Sequence, residues 1–381
     1  MRTAIAAVWA IIVCSFFVQT ANALQTDLIS LKADGVFRAG IIGLLMASYY
    51  AGYVVAPFLG RFVVVRIGHV RAVIAAMILP AVVVLLHPLF LNALAWMVFR
   101  ALSGIALSLS YVAVESWINA SVPNLLRGRV FSLYMFAQLA GMTVAQGLLS
   151  LGTPSNYGMF VLAAMLFLAA AVPVVIARNN APASVPPNPL SIVTLFRLAP
   201  MGVIATLLAG LTWASVFTFG PVYAKRIGLD MAGIGLFMAV AVAAGGTLQM
   251  PVGWMSDHIG RRPVLLGLFG VGALACLFGV FASGGLLNLV AAGLSGACIF
   301  PIYAVSTAAV NDHVTADKRV AAAAGLVLLF GLGSIFGPLL CGAVIGAAGP
   351  SGFFVLLAAA MASGFGMTLA WAAKPVLAPA G

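Results

Sequence analysis

The chain has 381 residues, of which 64% are hydrophobic and only 7% charged, with a net charge of +11. A soluble domain carries about 25% charged residues, so this supply cannot cover a water-facing surface, and most of the exterior must meet lipid. The basic residues stand in ones, twos and threes between apolar runs instead of forming a patch, which excludes nucleic acid as a partner. Those runs are continuous and roughly 20 residues or longer, which specifies an all-α membrane protein and not the segments of about ten residues of a β-barrel.

In chain order, Arg2, an apolar stretch and Ala21 to Ala23 resemble a secretory signal peptide. Apolar character runs on from Ala4 to Leu24 without a short hydrophobic region, so the segment is expected to stay as the first helix. Runs broken by Gly, Pro, Asn and charges predict spans over 4–27, 37–59, 72–89, 91–121, 130–150 and 155–177, then 196–222, 230–255, 263–283, 285–310, 319–345 and 350–373. Between the sixes, Arg178 to Pro189 is rich in Pro and Asn and reads as a linker. The expected organisation is a six-helix bundle over 1–177, a cytoplasmic linker over 178–195 and a second bundle over 196–381.

The two halves are related by a repeat. Shifting the first by 192 positions aligns Ile42 to Ala47 with Ile234 to Ala239 at five of six residues, without a gap. The same offset pairs Ile67-Gly68 with Ile259-Gly260, Gly104 with Gly296, Tyr111 with Tyr303, Asn119 with Asn311, Arg127 with Arg319 and Gly141 with Gly333. Parallel repeats related by an axis along the membrane normal are the architecture of one large transporter fold, which places a solute site between its halves.

Orientation follows from Lys and Arg. With the N-terminus inside, thirteen of the eighteen fall on the cytoplasmic side, while Lys32, Arg38, Lys225 and Arg226 fall outside and Arg100 lies within a span. Both termini are expected in the cytoplasm of a cell (inner) membrane.

After the eighth span stands Gly253-Trp-Met-Ser-Asp257-His-Ile-Gly260-Arg261-Arg262, which resembles the G-x-x-x-D-R-x-G-R-R signature of the major facilitator superfamily. The first-half counterpart keeps Arg66, Gly68 and Arg71 but has Val65 where the acid should be. Val114-Glu-Ser-Trp-Ile-Asn119, Arg127-Gly-Arg129, Leu248 to Gly253 and Gly331 to Gly342 make the chain similar to the YcaD-like branch of that superfamily. Arg100-Ala-Leu-Ser-Gly104 also resembles its fourth-helix R-x-x-x-G, whereas the antiporters' fifth-helix Gly-Pro is replaced by Gln146-Gly147. The resemblance implies twelve transmembrane helices in two pseudo-symmetric six-helix bundles and secondary transport of a small solute, with protons as a possible coupling ion. Gly253 and Gly260 would let helix ends and a tight loop approach, and Asp257, with Arg261 and Arg262, would latch the inward gate.

Candidate cavity residues come from helical spacing. Arg100, Gly104, Ser108, Tyr111, Glu115 and Asn119 recur at steps of three and four along the fourth span and share one face. A polar stripe at bilayer depth must face protein or a water-filled cavity. Glu115 and Asn119 also lie close enough to the cytoplasmic end to pair with loop arginines such as Arg66 or Arg129. The first span repeats the pattern at Ser15, Gln19, Asn22 and Thr26, with Gln25 beside them and Asp27 at its solvated outer end. Tyr49, Tyr50, Tyr53, Gln138, Gln146, Trp213, Phe217 and Tyr303 complete the set of inward-facing candidates, as solute contacts or as packing. His69, His87, His258 and His313 are expected to be solvated near span ends.

Cys14, Cys276, Cys298 and Cys341 lie in apolar runs without paired spacing, which argues against a disulfide framework or a zinc site, and no cofactor is implied. Fifteen Met prompt a copper-type importer as an alternative, but no sulfurs converge at one depth. A transport-dead membrane sensor is the other alternative, and no nucleophile, base and orienter occur together to suggest an enzyme. The expected molecule is a monomer in the lipid bilayer carrying a small neutral or singly charged solute. Thiols introduced near Lys32 and Lys225 should then react with an impermeant reagent added outside intact cells, while thiols near Arg178 and the C-terminus stay protected; the reverse pattern would overturn this orientation.

Overall fold

The computed structural model describes residues 2–122, 124–177, 190–315 and 318–370. Among these are thirteen helices: α1 (Arg2–Asp34), α2 (Ala39–Leu86), α3 (Ala93–Ser121), α4 (Asn124–Leu149), α5 (Tyr157–Ile176), α6 (Ile192–Leu198), α7 (Pro200–Arg226), α8 (Met231–Ile259), α9 (Arg261–Phe281), α10 (Gly285–Ile299), α11 (Ile302–Asn311), α12 (Arg319–Ala348) and α13 (Gly352–Ala370). The α2 helix holds two spans and α10 with α11 makes one, so eleven segments are long and apolar enough to cross a membrane. The 26-residue α4 is as long as these, at about 1.5 Å rise per residue, but Gln138 and Gln146 lower its apolarity. With it the passes number twelve among the described residues, in an all-α fold.

Three boundaries differ from the sequence-based expectation. The first helix runs on to Asp34 because its polar residues find partners instead of ending it. Spans 2 and 3 form one helix interrupted at Gly68 (φ 78, ψ 162), and the repeat-equivalent Gly260 (φ 95, ψ 157) separates α8 from α9. Both backbones occupy a region that only glycine enters without strain. The start of the seventh span is a separate short helix, α6, capped by the Ser191 side chain on the Thr194 amide, and Pro200 then opens α7. The expected linker core, 178–189, lies outside the described residues.

The repeat is written into the packing. A Cβ on Gly104 of α3 would fall 1.9 Å from the Tyr49 carbonyl oxygen of α2, and one on Gly296 of α10 would fall 2.2 Å from that of Ala241 in α8. Each residue of the second contact is 192 positions after its counterpart in the first. Between the halves, Gly43 of α2 meets the Pro338 carbonyl of α12, and Gly235 of α8 meets the Gln146 carbonyl of α4, each 2.5 Å from the position a Cβ would take. Exchanging the halves by the same offset converts one contact into the other, as a pseudo-two-fold axis requires. On α12, Gly333 and Gly337 give close crossings with α7, and Gly342 gives one with α2. Small residues at such crossings let helix backbones gain dispersion contacts that lipid cannot supply.

The four cysteines are free and buried. His258 and His313 are exposed as expected, but His69 and His87 are buried. His87 hydrogen-bonds the Val83 carbonyl at 2.7 Å and packs on Trp96 and Phe99, so its ring turns back into the bundle instead of out to water.

Gly296→Val should lower the melting temperature of the detergent-solubilised protein markedly, since overpacking costs about 1–3 kcal/mol. Gly267→Ala, where a Cβ meets nothing within 4 Å, should leave it unchanged or raise it. Equal melting temperatures for the two variants would contradict the close crossing.

Candidate functional site: a cavity between the two bundles

Helices of both halves enclose a cavity of about 290 Å³, near the lower end of the 300–1,000 Å³ typical of small-molecule sites. From the first half, α1 contributes Gln19, Asn22 and Thr26, α2 contributes Tyr49, Tyr50 and Tyr53, α3 contributes Tyr111 and Glu115, and α4 contributes Tyr134 and Gln138. The second half contributes Trp213, Phe217, Gln249, Phe300, Tyr303 and Phe330.

A hydrogen-bonded chain ties three first-half helices together at the wall. The Tyr111 hydroxyl donates to Gln19 Oε1 at 3.0 Å, and Gln19 Nε2 donates to Gln138 Oε1 at 3.1 Å. The Glu115 side chain is half-buried, faces the cavity and is hydrogen-bonded by Tyr134. Asn22 Oδ1 is buried with no hydrogen-bond partner among the described residues. On the opposite wall, Trp213 stands edge-on to Phe300 with ring centroids 4.6 Å apart, and Tyr303 packs on Phe330 at 5.0 Å.

Other expected residues lie behind this wall. Gln25 is buried and donates to Ser103 at 3.3 Å, and Ser108 is buried within α3. Arg100 is 1% exposed, with its guanidinium 4.4 Å above the Tyr49 ring and Nε and Nη1 without hydrogen-bond partners among the described residues. Gln146 does not line the cavity: its Nε2 donates to Asp27 Oδ2 at 3.0 Å. Asp27 itself is fully buried, not solvated at an outer end, because the helix continues two turns past it and α4 packs over it. Its sequence position beside Lys32 and Asp34 gave no sign of this enclosure.

Sequence reasoning also missed an ionic cluster at the end of α1. Asp34 binds Lys225 Nζ at 3.1 Å and Arg226 Nη2 at 2.8 Å, and Lys225 further donates to the Leu31 carbonyl. Asp34 and Arg226 are 192 positions apart and therefore repeat-equivalent, so they can touch only beside the pseudo-two-fold axis. This cluster joins the two halves beyond the Thr26 end of the cavity. The junction of α8 and α9 at the opposite ends is joined within one half: Arg261 binds Asp257, Ser256 and, at 3.0 Å, Asp312 just after α11. Gly260 takes the positive φ the turn needs, but Gly253 faces open space, so no close approach depends on it. Arg262 is half-buried. The side chains of Val65, Asn119, Arg127 and Arg129 lie outside the described residues. Among the described residues, no His, Cys, Asp and Glu converge as a metal site.

A polar and aromatic cavity enclosed between two repeat-related helical bundles is the architecture of a secondary transporter. The profile of the Major Facilitator Superfamily matches residues 4–248 and 202–380, and the chain belongs to that superfamily. It is 29% identical over 302 residues to the uncharacterized MFS-type transporter YcaD of Escherichia fergusonii, spanning 78% of each chain. Its fold matches the crystal structure of the nucleoside transporter NupG with a TM-score of 0.79 at 15% identity, over 97% of this chain and 100% of that one. The D-xylose-proton symporter matches with a TM-score of 0.73 at 16% identity, over 95% and 96% of the two chains. The chain is thus a multi-pass membrane transporter.

Asp34 is largely enclosed, with 7% of its side chain exposed, so removing its charge leaves two cations at the contact without their countercharge. Asp34→Asn should therefore open that end, and each 1.4 kcal/mol lost from the closed state shifts the populations about tenfold. The check is the rate at which an impermeant maleimide labels a cysteine at Thr26, which should rise on the Lys225 side of the membrane. An unchanged rate would show that the ion cluster does not hold the halves closed.

Proposed function

We propose that the protein moves a small organic solute by alternating access, with the cavity between the halves as its binding site and Glu115 as the proton-coupling group. The observation that carries this reading is the position of Glu115: a carboxyl at bilayer depth, reachable from the cavity and bonded to Tyr134 of a neighbouring helix. Charged side chains within membrane spans cost about 2.5–3.5 kcal/mol on insertion scales, and they mark ion and proton pathways where they are retained. Glu115 and Arg100 are fifteen positions apart on α3, about 22 Å along the axis. They therefore act separately, Glu115 at the cavity and Arg100 against the Tyr49 ring.

Rocking of the halves accounts for the cycle. The Asp34 cluster closes the side carrying Lys32 and Lys225, and Lys and Arg counts support assigning that side to the exterior, with both termini inside. The state described here then has its exterior gate shut. A bacterial cell membrane is the location that the YcaD relatives support, and nothing in the cavity requires a second copy of the chain.

Proteoliposome flux tests the coupling. In Glu115→Gln, whatever solute exchange remains should no longer respond to an imposed pH gradient. Full gradient-driven accumulation by this variant would make Glu115 structural, and Asp27 would be the next carboxyl to examine.

A further inference from the structure

We infer that the solute is a monocationic aromatic amine, held by its charge at Glu115 and by its ring between the two aromatic walls. This rests on the reading of the cavity as the solute site. Among the described residues lining it, Glu115 is the one carboxyl, and there is no Lys, Arg or His. Arg100, whose guanidinium lies 4.4 Å over the ring of the lining residue Tyr49, does not itself line the cavity. An anionic occupant would meet Glu115 with no cation among the described lining residues to offset it. A cation meets a carboxylate in a low-dielectric site, where their attraction is stronger than in water.

The aromatic residues point the same way. Tyr53 and Tyr111, with centroids 6.1 Å apart, stand on the wall that carries Glu115, and Trp213, Phe300, Tyr303 and Phe330 form the wall opposite. Ring faces attract organic cations through their quadrupoles, and flat rings stack between them. The free amide acceptor agrees with a donor-bearing ligand: Asn22 Oδ1 is buried at the wall and unpartnered, as a group awaiting an N–H would be. An ammonium supplies up to three such donors. A sugar, by contrast, presents hydroxyls to a wall that is here mostly aromatic carbon, and gives Glu115 no countercharge.

Three probes with one ring and different charge test this: 2-phenylethylammonium, 2-phenylethanol and 3-phenylpropanoate. Binding to purified protein at neutral pH would be read by Trp213 fluorescence, with a Trp213→Phe control, and by thermal shift. The cation should bind at least about tenfold more tightly than the alcohol, as a charge-assisted hydrogen bond predicts, and the anion should not saturate. Glu115→Gln should remove the preference for the cation without weakening the alcohol, and Glu115→Asp should retain part of it. Equal affinity for cation and alcohol, tighter binding of the anion, a preference that survives Glu115→Gln, or no saturable binding by any of the three would overturn the assignment. These measurements need no gradient. Binding of the cation without flux would sink the transport reading alone, while flux of an unrelated solute with no amine binding would sink the amine alone.

Discussion

Backbone contact at Gly43 and Gly235 is the constraint on which the rest of the structure depends. Each glycine brings a helix of one half against a carbonyl of the other, Pro338 in one case and Gln146 in the other. Lipid tails are as apolar as Leu, so two bundles gain little from hiding hydrophobic surface against each other, and close backbone packing has to hold them together. The two contacts are images of each other under the 192-residue repeat, so they grip the interface evenly on either side of the axis. Side chains larger than hydrogen at these positions would separate the halves and widen the cavity they enclose.

Gln146 shows how the interface and the polar interior are connected. Its carbonyl receives Gly235 of the second half, and its side chain holds the buried Asp27 of α1. A movement of α8 against α4 therefore acts on the residue that satisfies an intramembrane carboxyl. At the end of α1, Asp34 meets Arg226, its own repeat equivalent. A duplicated chain starts with identical residues on the axis, where like charges repel, so a gate there depends on the two copies having diverged to opposite signs. The same divergence is visible in the cavity, where, among the described lining residues, the first half supplies the carboxyl and three of the four amides and the second half supplies the Trp and Phe surface.

The fold was legible in the sequence because bilayer thickness, apolar run length and the repeat are all one-dimensional signals. The cavity wall of α3 was legible for a similar reason: Tyr111 and Glu115 are four residues apart and share a helical face. Arg100 and Ser108 lie on the same stripe yet stand behind the wall, because a straight stripe of that length passes from the cavity into the contact with α2. Asp27 and the Asp34 cluster were not legible, since a charged residue near a span end reads the same whether it meets water, an amide 119 residues away or an arginine 192 residues away. Tyr134, Gln249, Phe300 and Phe330 were missed because nothing in their local spacing separates a lining aromatic or amide from one that packs. The burial of His87 was hidden likewise, by a helix end that folds under Trp96.

The claim that two repeat-related halves rock about a central cavity is tested most directly by paired distance measurements. Spin labels on exposed positions across the interface, Val36 with Ala232 at one end and Leu133 with Met255 at the other, report the opening of each end separately. In liposomes, a shift in pH or addition of a bound solute should lengthen one distance and shorten the other, with the two populations changing in step. Distances that both stay fixed under every condition, or that lengthen together, would contradict the account.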